Sequence, residues 1–235
     1  MTSQVQPDYG HHWTEKDRVQ EYVERTDQED AERRQRFSLV AKLLPDTNKT
    51  LRILDIGSGH GPFAAALLDA LPNASAVGLD LSEAMIDVGR ERMARFGSRF
   101  QYHVGDFAEG HLPQDLPGTF DVAVAASAIH HLPPDRKRTL YREVYGVLNQ
   151  GGAFFNMDNM QPKDEFLRDL YRSARGRVQR TPEEEAARAA SPHGSLGHWM
   201  DPAEDHMAFL REAGFQHVEC FLKQLSLCLV GGYKL

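Results

Sequence analysis

Cysteine is scarce: Cys220 and Cys228 lie in one apolar C-terminal stretch, in no CxxC or metal-ligand spacing. A disulfide framework and a zinc site are therefore not expected, and both thiols read as small buried hydrophobes. Long apolar runs are missing too: stretches such as residues 122–126 and 227–230 fall far short of the roughly 18 needed to cross a bilayer. The first ten residues carry neither a basic n-region nor an apolar h-region, so no secretory signal is expected and the default address is the cytoplasm. Positive charge is in deficit, 27 Lys and Arg against 34 Asp and Glu for a net charge of −7, which argues against nucleic acid as a partner. No internal repeat or low-complexity tract is present.

What remains is an ordinary globular composition: 41% hydrophobic residues and 19 glycines in 235, enough chain for one domain with additions. Residues 1–50 are polar, with 10 acidic and 8 basic side chains. Yet Val19, Tyr22 and Val23 recur at i, i+3, i+4, and Phe37, Val40, Ala41 and Leu44 at i, i+3, i+4, i+7. Those periods predict amphipathic helices over 15–25 and 29–44, with Asp27 as the N-cap between them and Pro45 as the stop. This part is expected to form an N-terminal helical cap, separate from a main domain over 51–235.

From Leu51 strands and helices alternate. Apolar runs at 51–56, 76–79, 100–104, 121–125 and 153–157 predict five strands, separated by helices at 62–71, 82–96 and 134–148. Strands that read as continuous apolar runs imply a parallel sheet covered on both faces. After Met157 the pattern breaks, so 158–200 reads as an insertion with seven Lys and Arg. Asp201-Pro202-Ala203-Glu204 reads as a capping box opening a helix that ends at Gly214. Runs at 218–222 and 224–230 follow with a very short connection, which predicts an antiparallel pair. The expected fold class is α/β: a doubly wound, Rossmann-like, mostly parallel seven-stranded sheet with an antiparallel edge hairpin and helices on both faces.

The strongest chemical signal is Leu54-Asp55-Ile56-Gly57-Ser58-Gly59-His60-Gly61, at a strand-to-helix junction. Glycines at 57, 59 and 61 allow a tight turn and close approach to a ligand, and the next helix offers its N-terminal N–H groups. The dinucleotide fingerprint is GxGxxG, whereas here the spacing is GxGxG. That disfavours a nicotinamide dehydrogenase. Asp80 ends the second strand, 23 residues after Gly57, where a carboxylate can accept both hydroxyls of an unphosphorylated ribose.

With these motifs in order, the chain resembles the class I S-adenosylmethionine-dependent methyltransferases over about 51–235. The resemblance implies that the loop of Asp55, Gly57, Ser58 and Gly59 lies against the methionine part of S-adenosylmethionine. It implies that Asp80 holds the ribose and that Leu81 and Met85 flank the adenine. Gly105-Asp106-Phe107 after the third strand is similar to the family's adenine-edge motif, with Asp106 as acceptor for the exocyclic amine and Phe107 beside it. Phe120-Asp121-Val122 and Leu148-Asn149-Gln150-Gly151-Gly152 are similar to the later motifs. A sulfonium methyl is already activated, so in-line positioning matters more than a base. The site should lie beyond the carboxyl ends of the first and fourth strands, where Ala126, Ser127 and His130 face the methyl.

His130 is the candidate general base, since an imidazole titrating near 6.5 can deprotonate an acceptor; the competing reading is that one of His130 and His131 caps the strand end or touches the cofactor backbone. His193, His198, Trp199 and Met200, with Met160, Phe166 and Tyr171, place 158–200 as a lid over a small-molecule acceptor. Simple packing onto the core is the bland reading for each of them. His11, His12 and Trp13 are too isolated for a metal site. Arg33, Arg34 and Arg36 are either a cation for the cofactor's carboxylate or a solvated helix face. Arg168, Arg172, Arg175, Arg177 and Arg180 form a stripe read as a salt-bridged surface. The hairpin at 219–231, ending Val230-Gly231-Gly232, resembles the branch that handles a carboxylated form of the cofactor in tRNA modification; a non-catalytic binder of the cofactor is the other alternative. Monomer and homodimer fit the composition equally.

Overall fold

The computed structural model describes residues 13, 16–28, 30–45, 47, 49–174 and 199–235. His11, His12, Arg175, Arg177, Arg180, His193 and His198 lie outside the described residues. Strand β1 (Arg52–Ile56) is central because Ile53, Leu54 and Ile56 are wholly buried and its neighbours on both sides are apolar. On one side it pairs in parallel with β2 (Ser75–Asp80), which pairs with β3 (Phe100–Val104). On the other it pairs with β4 (Phe120–Ala126), which pairs with β5 (Leu148–Asn159). The seven-stranded order is β3-β2-β1-β4-β5-β7-β6, closed by β6 (Gln216–Gln224) and β7 (Leu227–Tyr233), both antiparallel to their neighbours. The chain therefore reverses its direction of travel across the sheet between β1 and β4, and the crevice of a doubly wound sheet opens there.

Helices cover both faces. Against one lie α1 (Lys16–Gln28), α2 (Asp30–Lys42), α3 (Pro62–Ala70) and α4 (Glu83–Met93); Phe37 of α2 stacks on Phe63 of α3 at 4.4 Å, beside Val40 and Leu67. Against the other lie α5 (Pro134–Val147) and α7 (Ala203–Ala213), with Leu140, Val144, Phe209 and Leu210 in one core. Helix α6 (Glu165–Ala174) follows β5 and leaves Phe166 73% exposed. The heptad-like spacing of Val19 and Val23 is used as the sequence predicts: they pack on Met85 of α4.

Four local expectations are corrected. Asp27 caps nothing; α1 runs on through Gln28, and the Asp27 carboxylate takes a two-pronged pair from Arg92 of α4, at 2.7 and 2.8 Å. Strand β5 continues through Asp158 and Asn159, so the insertion starts later than the apolar run suggested. Strand β7 runs to Tyr233 through Gly231, whose missing Cβ leaves room for Phe155 at 2.5 Å and the Phe154 carbonyl at 2.6 Å. Asp201 does not cap α7, which begins after Pro202 with no side-chain cap; its carboxylate instead meets Lys137 Nζ at 2.5 Å.

The two ends of the insertion come together. Gln161 N–H donates to the Met200 carbonyl at 3.2 Å, and Trp199 N–H donates to the His130 carbonyl at 2.7 Å. Lys137 Nζ, fully buried, also donates to the Trp199 carbonyl.

Candidate active site

The turn after β1 is built for a backbone surface without side chains. Gly57, Gly59 and Gly61 have φ of +66°, +53° and +88°, the left-handed region where L side chains are strained. Gly57 and Ser58 both donate their N–H to the Leu79 carbonyl, at 2.8 and 3.1 Å, which ties the turn to the end of β2. A Cβ on Gly57 would stand 2.4 Å from Ala128 Cβ, so the turn also closes against the loop after β4. Pro62 occupies the first turn of α3, whose Ala64 N–H donates to Asp55 Oδ2 at 3.1 Å.

Above this turn, at the β1/β4 reversal, lies a cavity of about 760 Å³ including its open mouth. Asp55, Gly57, Ser58 and Gly59 line it from β1 and its turn, Asp80 and Leu81 from the end of β2, Met85 from α4, and Ala126 and Ser127 from the end of β4. Phe107 lines it as well. The structure thus brings together ten of the eleven residues that the resemblance assigned to the cofactor. Asp106 is not in the wall: its Oδ1 accepts the Ala108 N–H at 2.6 Å, folding its own loop.

The two carboxylates are held differently. Asp80 accepts Gly59 N–H at 2.7 Å and Ser82 N–H at 2.9 Å, one on each oxygen, so it is fixed while further lone pairs face the cavity. Burial raises its pKa, against the pull of those N–H groups. Burial pushes Asp55 up to about 7, opposed by the Ala64 N–H and helped by the negative charge of Asp80. A cation in the cavity is therefore the natural complement to Asp55.

His130 is placed outside this wall. Its Nδ1–H donates to Asp158 Oδ1 at 2.6 Å, its backbone N–H to Asp158 Oδ2 at 3.0 Å, and its ring leans on His131 at 4.1 Å. Burial would raise the Asp158 pKa, but the charge and hydrogen bonds of His130 hold it down at about 2. It is His131 that reaches the cavity. Trp13 reaches it too, its ring 5.0 Å from Tyr22 and 6.3 Å from His131, while its carbonyl accepts the Ser82 hydroxyl at 2.5 Å. Sequence reasoning missed Asp158, because a carboxylate ends an apolar run, and missed Trp13 and Tyr22 because nothing in their spacing points at a site; it singled out the His130-His131 pair but gave the leading role to His130. Of the arginines on α2, Arg34 pairs with Asp30 at 2.9 Å and Arg36 with Glu32 at 3.3 Å, whereas Arg33 lines the cavity. Phe166 is exposed, and Met160 and Tyr171 line a separate cavity that shares no residue with this one. Arg168 donates to the Pro162 and Lys163 carbonyls and Arg172 pairs with Asp169, as a surface stripe does. Among the described residues no group of His, Cys, Asp and Glu could hold a metal.

Behind the site lies a buried polar chain. Asn156 Nδ2 donates to Tyr141 Oη at 3.3 Å, and the Tyr141 hydroxyl donates to His206 Nδ1 at 2.6 Å. Burial, then the positive charge of Lys137, depresses the His206 pKa to about 4. An unfolded-state imidazole takes a proton near 6.5 and this one only near 4, so acid favours the unfolded chain across that window. Wild type should lose about 3 kcal/mol from this source between pH 6.5 and 4. Asp55 acts in the opposite direction, so the measurement is the difference in denaturant-unfolding free energy between wild type and His206→Gln at the two pH values. A difference independent of pH would contradict the assignment.

A doubly wound sheet with a glycine turn at its reversal and a fixed carboxylate at the end of β2 is the architecture of a nucleoside-cofactor-binding α/β domain. Residues 53–152 match the methyltransferase domain family, so the chain carries a methyltransferase domain over that span. It is 33% identical over 123 residues to the ubiquinone/menaquinone biosynthesis C-methyltransferase of Methylobacterium nodulans, covering 52% of this chain and 47% of that one. It is 24% identical over 187 residues to the carboxy-S-adenosyl-L-methionine synthase of Nautilia profundicola, covering 78% and 76%. The chain spans about half the length of most of the curated relatives it matches. Among solved structures, PigF with SAH superposes with a TM-score of 0.67 at 21% identity, covering 94% of this chain and 60% of that one. An O-methyltransferase family protein from Burkholderia thailandensis superposes with a TM-score of 0.61 at 20% identity, covering 85% and 55%. These two likenesses bear on the fold alone.

The cradle fits S-adenosylmethionine. Its glycine wall is one that a Cβ on Gly57 would obstruct, and its donor set offers two carboxylates for a diol and a cation. Arg33 can hold a carboxylate, and Leu81, Met85 and Phe107 are apolar walls. No helix among the described residues is long and apolar enough to cross a membrane.

Proposed function

We propose that the protein is an enzyme that transfers the methyl group of S-adenosylmethionine, in line, to a small or medium-sized organic acceptor in the cytoplasm. When bound, the cofactor supplies an activated methyl on a sulfonium, and S-adenosylhomocysteine is left after transfer. Asp80 takes the ribose hydroxyls, Leu81, Met85 and Phe107 enclose the base, and Asp55 with the turn at 57–59 faces the amino-acid end. Arg33 neutralises the cofactor's carboxylate. Ala126 and Ser127 form the floor beneath the methyl. His130 is a positioning residue, holding His131 at the cavity through the turn that Asp158 braces; Asp106 shapes the Phe107 loop. The domain division at residue 50 is part of this reading, with α1 and α2 closing the cavity from above and 158–200 as the lid.

The observation that carries the proposal is the Asp80 carboxylate, fixed by two N–H donors at the cavity's edge. Asp80→Ala should weaken S-adenosylhomocysteine binding by about 1.5–3 kcal/mol, the range for hydrogen bonds to a charged group, read by calorimetry. An unchanged affinity would sink the assignment. For the wild type, S-adenosylhomocysteine should raise the melting midpoint and NAD should not. The relationship to carboxy-S-adenosyl-L-methionine synthases is tested by mass spectrometry of the ligand retained on purification, where a carboxylated cofactor would redirect the proposal. A non-catalytic binder would shift in melting yet release no S-adenosylhomocysteine from S-adenosylmethionine with any acceptor.

A further inference from the structure

A second cavity adjoins the first. It spans about 1230 Å³ including its open mouth, and the two share Tyr22, Arg33, Ala126 and Ser127 as a common wall at the end of β4. Ser127 holds φ +52° there, with its N–H on the Met157 carbonyl at 3.0 Å. Strain of this kind in a residue other than glycine gathers at functional sites. A molecule in the second cavity thus reaches the same floor that lies beneath the cofactor's reactive end.

The charge of this cavity is one-sided. Arg25, Arg33 and Arg36 line it, and no Asp or Glu does, in a chain whose net charge is −7. Among the described residues Arg25 and Arg33 have no carboxylate within ion-pair distance; their guanidinium groups lie over aromatic rings, Arg25 at 5.4 Å from Tyr22 and Arg33 at 5.5 Å from Phe37. Arg36 has an exposed partner, Glu32 at 3.3 Å, a surface pair of little energetic weight. The rest of the wall is largely apolar, with Phe37, Met157 and Leu227. Two guanidinium groups without a carboxylate partner among the described residues, and a third paired only with the exposed Glu32, lie over an aromatic and aliphatic floor; they are complementary to a flat apolar body bearing an anion, and guanidinium matches a carboxylate in two-pronged geometry.

We propose that the second cavity is the acceptor site and that it selects an aromatic or alicyclic carboxylic acid, whose carboxylate is held by Arg25 and Arg36 while Arg33, at the shared wall, serves the cofactor. This rests on the methyltransferase reading above and adds the acceptor's chemical class to it.

The test uses the full chain saturated with S-adenosylhomocysteine, titrated calorimetrically with benzoate, 4-hydroxybenzoate and cinnamate and with the three matching carboxamides. At least one carboxylate should bind about 10- to 100-fold more tightly than its amide. Arg25→Gln and Arg36→Gln should each erase most of that preference and leave S-adenosylhomocysteine affinity within about twofold, since neither residue lines the first cavity. Arg34→Gln, on the same helix but outside the cavity, should change nothing. Melting curves confirm that each variant is folded. Failure of S-adenosylhomocysteine to bind would overturn the methyltransferase reading itself. Binding of S-adenosylhomocysteine with no carboxylate preferred over its amide, or with a preference that survives both substitutions, would overturn only the present inference. So would binding of inorganic phosphate with no binding of any carboxylate.

Discussion

Asp201→Ala should lower the unfolding free energy by about 3–5 kcal/mol and the melting midpoint by roughly 6–20 °C. Lys137 is fully buried on α5, its pKa lowered by burial and sustained by Asp201, its ammonium reaching, among the described residues, that carboxylate and the Trp199 carbonyl. Removing the carboxylate leaves a cation in the interior with half its partners. The cost is that of the stranded charge and not the worth of the pair. Lys137→Met, which fills similar volume and leaves Asp201 near solvent, should cost less, and the double variant Lys137→Met/Asp201→Ala should recover stability relative to Asp201→Ala. Additive losses in chemical denaturation would show that the two residues do not interact.

Gly57→Ala should be nearly as damaging, and at the site itself. The backbone there has φ +66°, which costs an alanine about 1–3 kcal/mol, and the new Cβ would lie 2.4 Å from Ala128 Cβ. Overpacking adds about 1–3 kcal/mol. Moving Ala128 away also disturbs the turn that carries His130 and His131, so S-adenosylhomocysteine affinity should fall along with the melting midpoint. Gly97→Ala is the control: it has positive φ but nothing within 4 Å of the new Cβ, so it should cost only the backbone part and leave affinity unchanged.

The central strands β1, β4 and β5 were legible from their apolar runs because burial on both faces leaves them few polar residues. Where polarity does enter the core, legibility failed for that same reason. Asp158 and Asn159 belong to β5, yet Asp158 pairs with a histidine 28 residues earlier in sequence, which no periodicity reports. Asp201 has the spacing of a capping residue, but the demand of a buried lysine outweighed local capping. The cofactor wall was readable because it is a contiguous turn plus the ends of two strands. The second cavity was not, because its arginines come from two helices whose sequences look like solvated surface; only the folded arrangement brings Arg25, Arg33 and Arg36 to one cavity beside the end of β4.

The hydrogen bond between Gln161 and Met200 means that the chain leaves the sheet and returns to it at one point. A segment whose ends already touch adds little loop-closure entropy when it is lengthened, about 0.6 kcal/mol for each doubling. The stretch between those two residues can therefore be exchanged for one of different length and composition at small thermodynamic cost, with β1, β2 and β4 undisturbed.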